Sequence, residues 1–249
     1  MREQATAIGS PGMRSAPPDR FHTIVIIPAL NEESSIAQVI RSIPESAAAE
    51  IIVVDNGSTD NTAQVAYEAG ATVLTELRRG YGQACLLGIA RALRNKADIV
   101  AFLDGDYSDY PEELPDILRP IQEAGYDMVI GSRMIGRRER GALLPQALFG
   151  NWLASSLIRL FWGYRFTDLG PFRAVRVDAL QRMNMSDPTY GWTVEMQIKA
   201  AKLKLRCKEV PVRYRKRIGT SKVTGTVSGT IKASVKILYT IFKYLWVKV

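Results

Sequence analysis

Short apolar runs rich in β-branched residues alternate with segments of helical spacing over the first half of the chain. Thr23-Ile-Val-Ile-Ile-Pro28, Glu50-Ile-Ile-Val-Val-Asp55, the weaker Ala71-Thr-Val-Leu-Thr75 and Ile99-Val-Ala-Phe-Leu103 read as strands. Between them the pattern predicts a helix over Ile36–Ile43 capped by Ser34-Ser35. It predicts a second through Ala69 after the turn residues Asn56–Asp60, and a third from Gly80-Tyr81-Gly82 through Leu93. Strand and helix alternate four times, which predicts an α/β fold with a mainly parallel sheet flanked by helices. Further along come a helix over Pro111–Ala124, with Pro111-Glu112-Glu113 as its first turn, and a strand over Asp127–Ser132. Leu143–Gly163 reads as a long apolar helix, packed on the sheet or facing a membrane. Thr167–Ala174 is turn-rich and then extended, Gly191-Trp192 leads into a helix through Leu203, and Glu209–Arg215 reads as a strand.

The tail changes the picture. From Lys199 to the end there are fourteen Lys and Arg against one acid, Glu209, within a chain of net charge +8. Such a balance favours anionic partners: nucleotides, phosphates, nucleic acid or an anionic membrane. On a helix through Thr230–Val249, Lys232, Lys236 and Lys243 share one side, and Ile237, Leu238, Ile241, Phe242, Leu245 and Trp246 take the rest. That pattern suits an interfacial helix on an anionic bilayer, or a terminal helix packed on the domain or on another subunit. The length, 249 residues, suits one large domain. With no repeat or linker in between, the domain is placed at residues 21–226. A Pro/Gly-rich lead at 1–20, expected to be disordered, precedes it, and an amphipathic helix at 227–249 follows. Cys85 and Cys207 make neither a disulfide framework nor a zinc-ligand spacing, which points to a reducing, cytoplasmic compartment. His22 is the single histidine, so histidine-based catalysis is excluded as a working idea. No stretch reaches eighteen uninterrupted apolar residues, so no spanning helix is expected.

The strongest candidate chemistry is Asp104-Gly105-Asp106, at the end of the strand that begins at Ile99. Side chains two apart on an extended chain point the same way, so both carboxylates can face one point. Like charges that close call for a cation, and oxygen-only ligands suit Mg²⁺ or Mn²⁺. In open sheets of this kind ligands sit beyond the carboxyl ends of the strands. Asn31, Glu32 and Asp55 end the other strands at that edge. Arg133 reads as a phosphate clamp or a surface charge. Arg137-Arg138-Glu139-Arg140 reads as a solvated turn or an acceptor-phosphate contact, and Lys216-Arg217-Ile-Gly219-Thr-Ser221-Lys222 as a loop able to fold over an anion.

Three segments in order, Ile24–Glu33, Ile52–Asp60 and Leu103–Asp106, resemble the family-two inverting glycosyltransferases. Gly131-Ser132-Arg133 and Arg217-x-Gly219-x-Ser221-Lys222 are similar to the polyprenyl-phosphate branch, such as dolichol-phosphate mannose synthase. The resemblance implies a GT-A, Rossmann-like fold over roughly residues 21–226. It implies that Pro28, Leu30, Asn31, Glu32, Val53, Asp55, Gly57, Ser58, Gly80 and Gly105 surround the nucleotide sugar. By the same resemblance Asp104 and Asp106 hold the metal against the diphosphate. Arg133 and Lys222 would neutralise donor and acceptor phosphates, and Arg137, Lys216, Arg217, Ser221 and Lys222 would bind the acceptor phosphate. The branch often has a Gln two places after the second Asp. Ser108 stands there in this chain, which leaves a third metal ligand unassigned.

The implied reaction moves a hexose from a UDP- or GDP-sugar to a polyprenyl or dolichyl phosphate at the cytoplasmic membrane face. A lipid phosphate is already ionised at neutral pH and needs no base, whereas a hydroxyl acceptor does. Glu195 resembles the base of hydroxyl-glycosylating relatives, and Asp168 is a second candidate, so both acceptor classes stay open. A nucleotidyltransferase would share the strands and carboxylates, but no glycine-rich, basic phosphate loop follows the first strand. A nucleic-acid-binding module is suggested by charge alone, with no recognised motif.

Overall fold

The strand β1 (Thr23–Ala29) is buried along its whole length and lies within the sheet rather than at an edge. A run of Ile and Val suits a strand covered on both faces. Its side chains alternate between two cores: Ile24 and Ile26 enter one, Val25 and Ile27 the other. Burial of each such side chain contributes about 2 kcal/mol. The computed structural model describes residues 21–219 and 227–247. The expected lead at 1–20 and the candidates Ser221 and Lys222 lie outside the described residues.

β2 (Glu50–Asp55) pairs in parallel with β1, β3 (Thr72–Thr75) with β2, and β4 (Ile99–Phe102) with the other side of β1. β5 (Met128–Ser132), β6 (Arg173–Arg176) and β7 (Cys207–Pro211) complete a seven-stranded sheet among the described residues, in the order β3-β2-β1-β4-β6-β5-β7. β6 runs antiparallel to both β4 and β5, while β5 and β7 are parallel. The sheet is therefore mixed but mainly parallel, as the alternation predicts.

Helices cover both faces. α1 (Ile36–Ser42) and α2 (Thr62–Glu68) contribute to one core, with α4 (Leu114–Ala124). The other core takes α3 (Tyr81–Arg94), α5 (Pro145–Trp162), α6 (Val177–Met183), α7 (Trp192–Lys202) and α8 (Val227–Trp246). α3 approaches β1 closely: a β-carbon on Gly88 would lie 2.5 Å from Ile26 Cγ2.

Several expectations need correction. Ser35 does not cap α1; its hydroxyl donates to the Gly105 carbonyl at 2.8 Å and so ties the helix to the Asp104–Asp106 loop. The segment Pro111–Glu113 is a 3₁₀ turn ahead of α4 rather than its first α-turn. The strand near Glu209 begins and ends earlier than its pattern suggests. Past it, Tyr214 bridges to both Asp109 and Arg138, so the basic arm turns back over the sheet edge. α8 begins at Val227 and packs on α5 and α7, burying Thr240, Ile241 and Tyr244. Its other side exposes Ile231, Val235, Tyr239, Phe242 and Trp246. No described helix is long and apolar enough to cross a membrane.

Candidate active site

The loops after β1 and β2 interlock at the carboxyl edge of the sheet. Ser58 Oγ accepts from the Asn31 N–H at 2.9 Å, Asn31 Oδ1 accepts from the Thr59 N–H at 2.8 Å, and Thr62 Oγ1 accepts from the Glu32 N–H at 2.8 Å. Asp55 accepts from the Ser58 N–H at 3.1 Å, so Asp55, Ser58 and Asn31 hold the turn in shape. Asn56 joins a third loop: its Nδ2 donates to the carbonyls of Glu76 and Arg78, both at 2.9 Å, and its Oδ1 accepts from the Gly80 N–H at 2.8 Å.

These loops surround a cleft of about 360 Å³. One wall is Pro28, Ala29 and Leu30, with Glu32 beside them; the floor is Asp104, Gly105 and Asp106. Asn56, Arg79, Gly80, Tyr81 and Ala84 line another side, and Tyr190 and Arg217 complete it. Gly80 is required there: its φ is +145°, and a β-carbon would lie 2.2 Å from the Pro188 carbonyl oxygen. At Gly82 a β-carbon would lie 2.0 Å from the Asp187 carbonyl oxygen, so residues 187–188 press directly on the start of α3.

The two floor aspartates differ. Burial and the charge of Asp106 push the Asp104 carboxyl up to about 7, against the hydrogen bond from Tyr81 and the fields of Arg217 and Arg133. Tyr81 Oη donates to Asp104 Oδ1 at 3.1 Å. Asp106 Oδ1 accepts from the Ser108 N–H at 2.9 Å and from its hydroxyl at 2.6 Å. Ser108 therefore orients the aspartate. Asp109 lies nearby, fully enclosed, with neither carboxylate oxygen hydrogen-bonded among the described residues, and burial together with the charge of Asp104 pushes its carboxyl well above the usual range. Two oxygen-only side chains on the floor of one cleft fit a hard divalent ion, and Asp104 and Asp106 would hold it.

Other sequence candidates lie elsewhere. Val53 is fully buried inside β2 and packs in the core. Gly57, with φ +77°, shapes the turn beneath Arg79. Arg133 is not a free phosphate clamp: Nε and Nη2 donate to Asp168 at 2.8 and 2.7 Å, the Arg133 N–H donates to the same carboxylate at 2.7 Å, and the guanidinium lies 5.0 Å from the Tyr214 ring centre. Asp168 is wholly buried in that pair. Burial raises its carboxyl, but Arg133 outweighs burial and holds it below the ordinary range, so it is no base aimed at the cleft. Glu195 is likewise fully buried and away from the cleft lining. It accepts from the Ser186 hydroxyl at 2.8 Å, the Asp187 N–H at 2.7 Å and the Tyr244 hydroxyl at 2.6 Å, and pairs with Lys199 at 2.9 Å. It fastens α8 to α7 rather than serving as a proton acceptor. Arg137 and Lys216 are exposed outside the cleft lining. Arg217 does reach into the cleft.

Sequence reasoning missed Asn56, Arg79, Tyr81, Ala84 and Tyr190 as lining residues. Asn56 and Tyr81 sit within segments it had marked, but their direction depends on where the loops meet.

The profile described as "Glycosyl transferase family 2" matches residues 24–183. The chain is 30% identical over 230 residues to an undecaprenyl-phosphate mannosyltransferase of Micrococcus luteus, covering 86% of this chain and 93% of that one. It is 32% identical over 210 residues to an uncharacterized protein, MJ1222, of Methanocaldococcus jannaschii, covering 81% and 86%. Among solved structures it is similar to glucosyl-3-phosphoglycerate synthase from Mycobacterium tuberculosis in complex with Mn²⁺, UDP and phosphoglyceric acid. That match has a TM-score of 0.71 at 24% identity and covers 92% of this chain and 80% of that one.

Proposed function

The chain belongs to glycosyl transferase family 2, it is a hexosyltransferase with the GT-A fold, and on that premise we propose what it transfers and to what. The donor is a UDP- or GDP-sugar, the acceptor is a polyprenyl phosphate, and the ion is Mg²⁺ or Mn²⁺ on Asp104 and Asp106. The observation that carries this reading is the aspartate pair on the cleft floor, where burial and the charge of Asp106 hold the Asp104 carboxyl as high as about 7.

The reaction breaks the bond from the anomeric carbon to the diphosphate oxygen and forms one to the acceptor phosphate oxygen on the opposite face, inverting that carbon. A bound divalent ion supplies charge neutralisation to the departing diphosphate. Pro28, Leu30 and Asn56 would seat the nucleotide, Tyr81 and Ser108 would hold Asp104 and Asp106 in orientation, and Arg217 would offer cationic donors to phosphate oxygens. Glu195 and Asp168 are buried and paired, and this supports an acceptor that needs no base, an ionised phosphate, over a hydroxyl. The name of the Micrococcus luteus relative supports the same acceptor class.

The exposed apolar side chains of α5 and α8, Phe149, Trp152 and Leu160 with Phe242 and Trp246, support peripheral contact with the cytoplasmic membrane face. Lys232 and Lys243 are also exposed there, which suits anionic lipid. The test incubates the protein and Mn²⁺ with a panel of nucleotide sugars, with and without polyprenyl phosphate. Nucleoside diphosphate release that depends on the lipid is the expected result. Release that depends instead on a hydroxyl acceptor, with the lipid inert, would overturn the proposal.

A further inference from the structure

The place where the divalent ion would bind already receives a cation from the chain itself. Arg217 Nη1 lies 3.1 Å from Asp106 Oδ2, and Nη2 lies 2.8 Å from Glu32 Oε1. One guanidinium thus bridges a floor aspartate to the glutamate on the cleft wall. The arm that carries it is tied to the loop bearing the aspartates. The Ile218 N–H donates to the Asp106 carbonyl at 3.0 Å and the Arg215 N–H to the Ser108 carbonyl at 2.9 Å. The Arg215 guanidinium lies 3.5 Å from the Tyr107 ring centre and 4.0 Å from that of Tyr110. Backbone and stacking fix the arm, so Arg217 can leave the aspartate by side-chain rotation alone. Its position is also not fully satisfied: Nε is buried and has no hydrogen-bond partner among the described residues. A pose that leaves one buried donor unmet is easier to displace than a fully bonded one.

We propose that Arg217 is the resident counter-ion of the aspartate site. It neutralises Asp106 and Glu32 while no divalent ion is bound, competes with that ion for Asp106, and is released when the ion arrives. A guanidinium and a doubly charged ion cannot both sit on Asp106 Oδ2 without strong repulsion. The released guanidinium then becomes available to anionic phosphate oxygens in the same cleft. No covalent bond changes in this exchange. The inference rests on the metal reading of Asp104 and Asp106 given above.

The test is a titration of Mn²⁺ alone into the full chain, with free Mn²⁺ followed by electron paramagnetic resonance. Arg217→Ala is expected to bind Mn²⁺ about tenfold more tightly than wild type, the size of one partly buried, charge-assisted contact removed. Arg217→Lys should fall in between, because a single ammonium cannot bridge both carboxylates as the planar fork does. Arg41→Gln, which removes the same charge from the exposed end of α1, should match wild type and so excludes a general charge effect. Equal or weaker binding by Arg217→Ala, with wild type binding Mn²⁺, would overturn the counter-ion role and leave the metal reading intact. Failure of both wild type and Arg217→Ala to bind Mn²⁺ would overturn the two together.

Discussion

Asp104 and Glu195 are both carboxylates drawn away from solvent, yet their surroundings are opposites. Asp104 has one neutral donor, Tyr81, and a like charge beside it, and its carboxyl is pushed up to about 7. Burial would push Glu195 up too, but Tyr244, Lys199 and the Asp187 N–H together hold it below its ordinary value. The first belongs to an open cleft where the guanidinium of Arg217 meets its neighbour Asp106; the second is a closed joint between α7 and α8. A half-buried acid with few donors, facing a cleft, marks where a ligand is expected, and a fully buried one with a full set of donors marks where the fold is fastened.

The sharpest way to break this contrast is to neutralise the floor. Asp104→Asn with Asp106→Asn should cut nucleoside diphosphate release by about a thousandfold or more, the scale of losing metal-assisted charge stabilisation. Thermal unfolding of the metal-free Asp104→Asn single variant, which keeps the Asp106–Arg217 pair, should show no loss of stability, since a repulsion has been removed. Wild-type turnover in the double variant would end the contrast altogether.

Glu195→Gln should do the reverse. It leaves Lys199 buried without its full partner and should destabilise the fold by about 3 kcal/mol in urea titration. Turnover per folded molecule should stay within a few-fold of wild type. A collapse of turnover at unchanged stability would restore Glu195 as a base and bring back the hydroxyl acceptor.

The two acids also predict opposite dependences on pH in the metal-free protein. The raised Asp104 carboxyl favours the protonated folded form. Its contribution is fully present below the ordinary 3.8 and is lost as pH rises through about 7. The lowered Glu195 carboxyl contributes above its ordinary 4.5, and that contribution is lost as pH falls through its folded value. Urea midpoints measured against pH should therefore lose their decline toward neutrality in Asp104→Asn and part of their acid-side decline in Glu195→Gln.

The smallest expected effect is at Ser108. Its hydroxyl orients Asp106 without completing a ligand set, so Ser108→Ala should weaken Mn²⁺ binding by about tenfold and leave stability near wild type. No change in Mn²⁺ affinity would show that Asp106 needs no such support.

Much of the frame was legible in the chain because local pattern decides it. The Ile and Val runs of β1, β2 and β4 can be little else than buried strands, and Asp104-Gly105-Asp106 falls at the edge where parallel sheets place ligands. What escaped depends on partners far away in sequence. β6 is short and begins with Arg173, whose buried guanidinium is satisfied by the carbonyls of Leu169, Gly170 and Thr193; nothing in the local pattern announces that. Arg133 looks like a clamp until Asp168, 35 residues on, is seen holding it. Glu195 looks like a base until Tyr244, 49 residues on, is seen against it. In each case a tertiary partner far along the chain sets the side chain's surroundings, and the local pattern does not show it.

The contact of Asp187 and Pro188 with Gly80 and Gly82 carries a last consequence. Main-chain oxygens occupy the volumes that side chains would need at both glycines, so this flank of the cleft has no slack to yield. Widening or narrowing the space for a different sugar must therefore come from exchanging projecting groups such as Arg79 or Tyr190, because the backbone behind them works as a fixed gauge.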